Sequence, residues 1–152
     1  MSIADPKSGN TKRSTLLIGC LVTAALILAA GYYLHRLDQG VRNSYAVWWV
    51  ANMVVEHMKS NNNQWPQGWE DLRDDYQICI ERSGQSWSFA ELSTRTEVNW
   101  QVDPVQLLAQ SKDAETARFR VITLADGTDS HWRSREPNQI VLDYLRSNRS
   151  EQ

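Results

Sequence analysis

The 152 residues carry 16 Lys and Arg against 18 Asp and Glu, a formal charge of −2. From His35 onward the balance is 13 basic to 17 acidic residues, a net of −4, which argues against the basic face that nucleic-acid phosphates select. The two cysteines, Cys20 and Cys79, lie far apart and outside any CxxC cluster, so neither a disulfide framework nor a zinc site is expected.

Residues 1–13 (MSIADPKSGNTKR) are polar, contain Pro6 and Gly9, and read as a disordered cytoplasmic tail. Residues 14–34 (STLLIGCLVTAALILAAGYYL) hold no charge. Their length matches the ~20 residues a helix needs to cross a bilayer, and a helix satisfies its own backbone where lipid offers no partner. Tyr32 and Tyr33 stand at the far end, where aromatic rings favour the membrane–water boundary. Lys7, Lys12 and Arg13 precede the run, against Arg36 and Arg42 soon after it, which favours an inside N-terminus and a domain outside the cytoplasm. The expected setting is thus a cytoplasmic (inner) membrane crossed once, with lipid around residues 14–34. The same segment also reads as a secretory signal cleaved near Gly31, after Ala29-Ala30. Both readings export the remainder. Leu17-Ile18-Gly19-Cys20 has the look of a lipobox, but too few apolar residues precede Cys20.

The remaining part, residues 35–152, is long enough for one small domain. Seven tryptophans suit a core or an interface. Val41, Tyr45, Trp48, Trp49, Val55 and Met58 follow helical spacing, predicting a long amphipathic helix over about 41–59, ended by Ser60-Asn61-Asn62-Asn63. Only Leu37 to Gly40 separate it from the membrane run, so the two helices are expected to join with little break. Trp65-Pro66-Gln67-Gly68-Trp69-Glu70-Asp71-Leu72 reads as a turn and a short helix to about Tyr76, with Trp65, Trp69 and Leu72 folded back on the long helix.

Tyr76, Ile78 and Ile80 alternate with polar residues and predict a half-buried strand, which places Cys79 on its polar side. Ser83-Gly84-Gln85 is a turn, and Trp87 to Leu92 fits either a strand or a short helix. Val98, Trp100 and Val102 predict a second strand. Asp103-Pro104 predicts the start of a helix running to Gln110. Arg118 to Leu124 predicts a third strand, Asp126-Gly127 a hairpin turn, and His131 to Arg133 its return. A last helix is expected over Gln139 to Arg146. The class is α+β: a transmembrane helix, then an amphipathic helix packed on a small antiparallel sheet with short helices.

A membrane helix running into an amphipathic helix, then an aromatic-Pro turn and a small sheet, resembles type IV pilins and type II secretion pseudopilins. The organisation covers residues 14–80. The motif covers Trp65 to Leu72, which is similar to the Tyr-Pro-x-x-Leu-x-x-Leu turn of that family. Pilins are cut before an apolar run beginning Phe-Thr-Leu-x-Glu; here Asn10-Thr11-Lys12-Arg13 follows Gly9 and the run has no Glu. The chain also resembles small bacterial single-pass proteins sharing the Trp-Pro-x-x-Trp-x-x-Leu turn and a late Asp-Gly…Trp…Glu-Pro-Asn stretch, which implies location and fold but no activity.

No nucleophile elbow, phosphate-binding Gly loop or paired zinc-protease histidines occur, so no catalytic residue or cofactor is assigned. His57 reads as a rim residue of the long helix. Glu70, Asp71, Asp74 and Asp75 are spread over more than one helix face, with Arg73 among them. The loop Asp126-Gly127-Thr128-Asp129 offers two carboxylates, and some pseudopilins hold calcium in sheet loops, so Asp126 and Asp129 are the calcium candidates. Arg118 and Arg120 are expected to pair with nearby carboxylates. The expected role is non-enzymatic contact with other envelope proteins, through exposed Trp or sheet edges; the alternatives are a divergent pseudopilin-like subunit of a secretion or pilus assembly and an exported enzyme.

Overall fold

The computed structural model describes residues 8–110, 120–130, 132 and 135–149. Expectations for residues 1–7, Arg118, Phe119, His131 and Arg133 lie outside these. The chain divides into two compact units, the first ending at Gln39 and the second beginning at Gly40. Helix α1 runs from Ser8 to Ser60. It starts inside the stretch expected to be a disordered tail and joins the two helices expected at 14–34 and 41–59. No proline interrupts residues 8–60, and isolated glycines weaken a helix without ending it.

In the first unit the apolar side chains point outward all round. Leu17, Ile18, Leu21, Val22, Leu26, Ile27 and Leu28 are each more than half exposed, as are Tyr32, Tyr33 and Leu34. This is one helix long and apolar enough to cross a membrane. Thr23 folds its hydroxyl back to Gly19 O at 3.0 Å, leaving no polar group of its side chain unpaired.

The second unit packs around the last part of α1. Ala46, Val47, Val50, Ala51, Met53, Val54 and Met58 are buried on nearly every side of the helix, as the apolar run from Tyr45 to Val55 led one to expect. The helix ends at a run of asparagines because Asn62 and Asn63 take positive φ (51° and 63°), a left-handed geometry that Asn tolerates. Asn63 N–H returns to Met58 O at 2.8 Å, and Asn63 Oδ1 accepts the Tyr144 hydroxyl at 2.6 Å.

Trp65 and Leu72 do fold into this core, 4% and 0% exposed. The Trp65 indole N–H donates to Asn99 O at 3.0 Å. Trp69 packs edge-on against Phe89 and Trp100 instead of closing over α1 alone. A short 3₁₀ turn, Trp69–Leu72, leads into α2 (Arg73–Tyr76) and a π-helical turn, Gln77–Glu81. The strand expected over Tyr76 to Ile80 is therefore helical. Leu72, Tyr76 and Ile80 recur at four-residue spacing on one face, and Ile78, which a strand would bury, is 41% exposed.

Gly84, at φ +68°, makes the following turn. The ambiguous stretch after Trp87 resolves as α3, Phe89–Arg95, because Ser88 caps it: its Oγ accepts Glu91 N–H at 3.1 Å. Strand β1 is Thr96–Val98 only. Asn99 Oδ1 takes Gln101 N–H at 3.1 Å, an Asx turn that ends the strand before Trp100 and Val102. Helix α4 is Pro104–Gln110, capped by Asp103 Oδ1 on Val105 N–H at 2.9 Å.

Strand β2, Ile122–Leu124, pairs antiparallel with β1 (Thr96 opposite Leu124, Glu97 opposite Thr123, Val98 opposite Ile122). β2 thus pairs over a long range with β1, and the return expected at residues 131–133 lies, save for Trp132, outside the described residues; Asp126-Gly127 does turn, with Gly127 at φ +71° and its N–H on Leu124 O. Trp132 lies edge-on to Tyr45, 5.9 Å between ring centres. Helix α5, Pro137–Arg149, starts earlier than expected because Pro137 suits the first helical position. Val141, Leu142 and Leu145 carry its buried face.

The described architecture is mostly helical with a two-stranded antiparallel sheet. Each fully buried Leu, Ile or Met contributes roughly 1.5–3 kcal/mol. The rim pair of Arg42 and Glu91, 2.9 Å apart, contributes about 0–1 kcal/mol. The core therefore decides the fold.

Candidate functional site

A buried polar constellation joins α1 to α2. His57 and Asp75 are 9% and 4% exposed. His57 Nδ1 lies 3.1 Å from Asp71 O and 3.2 Å from Asp75 Oδ2. Asp71 O can only accept, so that contact is made by an Nδ1–H. The 3.3 Å approach of Asn61 Nδ2 to the same atom is then a contact between two donors, and Asn61 makes its hydrogen bond to His57 O at 2.9 Å. Burial pushes the Asp75 carboxyl above its ordinary range, and the neighbouring His57 pulls part of the way back.

The sequence pointed to His57 only as a rim residue and gave Asp75 as one of four scattered acids. The signal was present in the spacing Leu72, Asp75, Cys79, Ile80, an acid on the apolar stripe of a helix, but a strand reading of Tyr76 to Ile80 hides it. Cys79 is half-buried against the core instead of on a polar face. Burial first, then the Glu56 and Asp75 carboxylates, push its thiol up to about 11. At neutral pH it is a thiol, without the thiolate that nucleophilic attack or metal binding uses.

The other acids are separated. Glu70 pairs with Arg73 at the surface, 2.8 Å apart, and that hydrogen bond holds its carboxyl below the ordinary range. Asp71 Oδ2 accepts Gln67 N–H at 2.7 Å. The two calcium candidates have partners in the protein. Asp126 Oδ1 accepts the N–H and hydroxyl of Thr128 (2.9 and 2.6 Å), its Oδ2 lies 3.3 Å from Asn43 Nδ2, and the Thr128 hydroxyl holds its carboxyl low. Asp129 Oδ1 is 2.6 Å from Arg120 Nη1. Among the described residues, no group of three His, Cys, Asp or Glu side chains is placed to hold a metal ion.

An open groove of about 770 Å³ crosses the β1–β2 sheet. Glu97 and Thr123, opposite one another across the strands, face away from the core residues Thr96, Val98, Ile122 and Leu124. The Asn99–Gln101 turn with Trp100, Gln67 and Arg120 complete the lining. Sequence reading found none of it beyond Arg120, because β1 and β2 are distant in the chain and their pairing was not predicted.

No protein-family model, no curated protein and no solved structure matches the chain.

Proposed function

We propose that this is a single-pass membrane-anchored protein whose α+β domain stands outside the cytoplasm and works by binding other envelope components, without catalysis. The observation that carries the reading is the first part of α1, where Leu17 through Leu34 expose apolar side chains around the whole helix. A helix that is apolar all round and uncovered by protein is one that lipid solvates. A binding role is supported by the burial of His57 and Asp75, which closes them to a substrate, and by the protonated state of Cys79. All seven tryptophans are buried or half-buried, and β2 has its outer edge closed, so contact through exposed Trp or that edge gives way to the solvent face of the sheet.

Topology is tested by fusing alkaline phosphatase or green fluorescent protein after Gln152. An active phosphatase and a dark fluorescent fusion are expected; the reverse pattern would place the domain in the cytoplasm.

A divergent pseudopilin-like subunit is the second reading. The uninterrupted helix Ser8–Ser60 favours it, since that resemblance implies one long helix with an apolar first part and a packed second part. It requires removal of the first residues, ending at Gly9.

A further inference from the structure

We propose that the groove over the β1–β2 sheet binds a neutral oligosaccharide. Its hydrogen-bonding groups are largely uncommitted. Among the described residues, the side chains of Glu97, Gln101 and Thr123 have no partner, Asn99 spends only Oδ1 on Gln101 N–H, and Gln67 spends only Nε2 on Trp65 O. Hydrogen bonds from Asn99 N to Val121 O and from Ala125 N to Arg95 O set the paired positions. The main chain of Val98 therefore turns away from β2 while its side chain fills the core. The lining so offers donors and acceptors together, several on planar amide or carboxylate groups whose paired atoms match adjacent hydroxyls.

Charge selects against an anion. Among the described residues, Arg120 is the cation of the lining and is engaged by Asp129 at 2.6 Å, while Glu97 has no cationic partner there. Beside Val98 and Val121, the aromatic part of the described lining is the indole of Trp100, braced edge-on by Trp69 with ring centres 5.4 Å apart. One flat aromatic suits the C–H face of a sugar ring. An extended peptide adds along a free strand edge and needs alternating side-chain pockets; Asn138 occupies the outer edge of β2, and β1 is only three residues long, Thr96–Val98. The volume lies within the ~300–1,000 Å³ usual for ligand clefts. The groove is also fixed before binding, because the Trp65 indole holds Asn99 O at 3.0 Å. This inference goes beyond the membrane reading and does not depend on it.

The test is titration of the full-length protein, in a detergent that carries no sugar headgroup, with chitotetraose, cellotetraose and maltotetraose, followed by tryptophan fluorescence. Saturable binding of at least one sugar is expected, weakened about tenfold or more in Glu97→Ala and in Gln101→Ala. Both residues are exposed, so circular dichroism and the thermal midpoint should be unchanged; Trp100→Phe is the milder check on the indole. Failure of all three sugars to saturate, or undiminished binding by both alanine variants, would overturn the proposal.

Discussion

The carboxamide of Asn138 closes the outer edge of β2 at Ile122: Oδ1 accepts Ile122 N–H and Nδ2 donates to Ile122 O, each at 2.9 Å. The same Oδ1 also accepts Val121 N–H at 2.9 Å. One side chain at the start of α5 thus replaces a neighbouring strand, which is how a two-stranded sheet avoids an open, adhesive edge. Asn138→Ala leaves three buried backbone groups unpaired, at roughly 1–3 kcal/mol each. We expect a loss of about 3–5 kcal/mol in urea unfolding, with Asn138→Asp less damaging because it keeps the acceptor. A loss under about 1 kcal/mol for the alanine variant would remove Asn138 from this role.

Asp75 gives the domain an inverted acid response. Its folded carboxyl titrates above the unfolded one because it is buried, so its contribution to stability is present in full below the unfolded value and is lost as pH rises through the folded value. Asp126, held low by Thr128, acts in the opposite sense, its contribution disappearing as pH falls. Asp75→Asn should therefore gain stability relative to wild type on raising the pH from about 4 to 7. Urea midpoints of the two proteins across that range measure the difference. Parallel pH curves would show that Asp75 is not perturbed.

Cys79 is predicted to resist alkylation in the folded protein. With its thiol pushed up to about 11, the thiolate fraction at pH 8 is about 100-fold below that of an ordinary cysteine. A Cys20→Ser background isolates the site. Reaction with iodoacetamide should be slow in buffer and fast in urea; equal rates would contradict the burial assigned to it.

Calcium should not stabilise the Asp126–Asp129 loop. The carboxylates already accept from Thr128 and Arg120, and a cation would have to displace both. We expect the thermal midpoint in millimolar calcium to match that in chelator, and a rise of several degrees would reinstate the pair as ligands.

Several elements were legible because the chemistry that makes them is local. The apolar run, the Asn61-Asn62-Asn63 stop, the Asp103-Pro104 cap and the Asp126-Gly127 turn each need only neighbours in sequence. The capping spacing from Ser88 to Glu91 was equally local and would have settled α3 as a helix. Tyr76 to Ile80 misled because i and i+4 residues also satisfy a two-residue alternation, and only the exposure of Ile78 separates the two. The pairing of Thr96–Val98 with Ile122–Leu124 spans a long separation that no local pattern specifies. The groove and the Asn138 closure depend on that pairing and could not be read in advance, whereas the His57–Asp75 clamp depends on α2, whose helical spacing the strand reading hid.

The central claim is that residues 14–34 remain as a membrane anchor. The most direct measurement is the intact mass of the native protein after membrane and soluble fractions are separated. The account predicts a full-length chain in the membrane fraction. A soluble chain beginning near Tyr32 would contradict it and make this a secreted domain, and a membrane chain lacking residues 1–9 would shift the reading to the pseudopilin-like subunit.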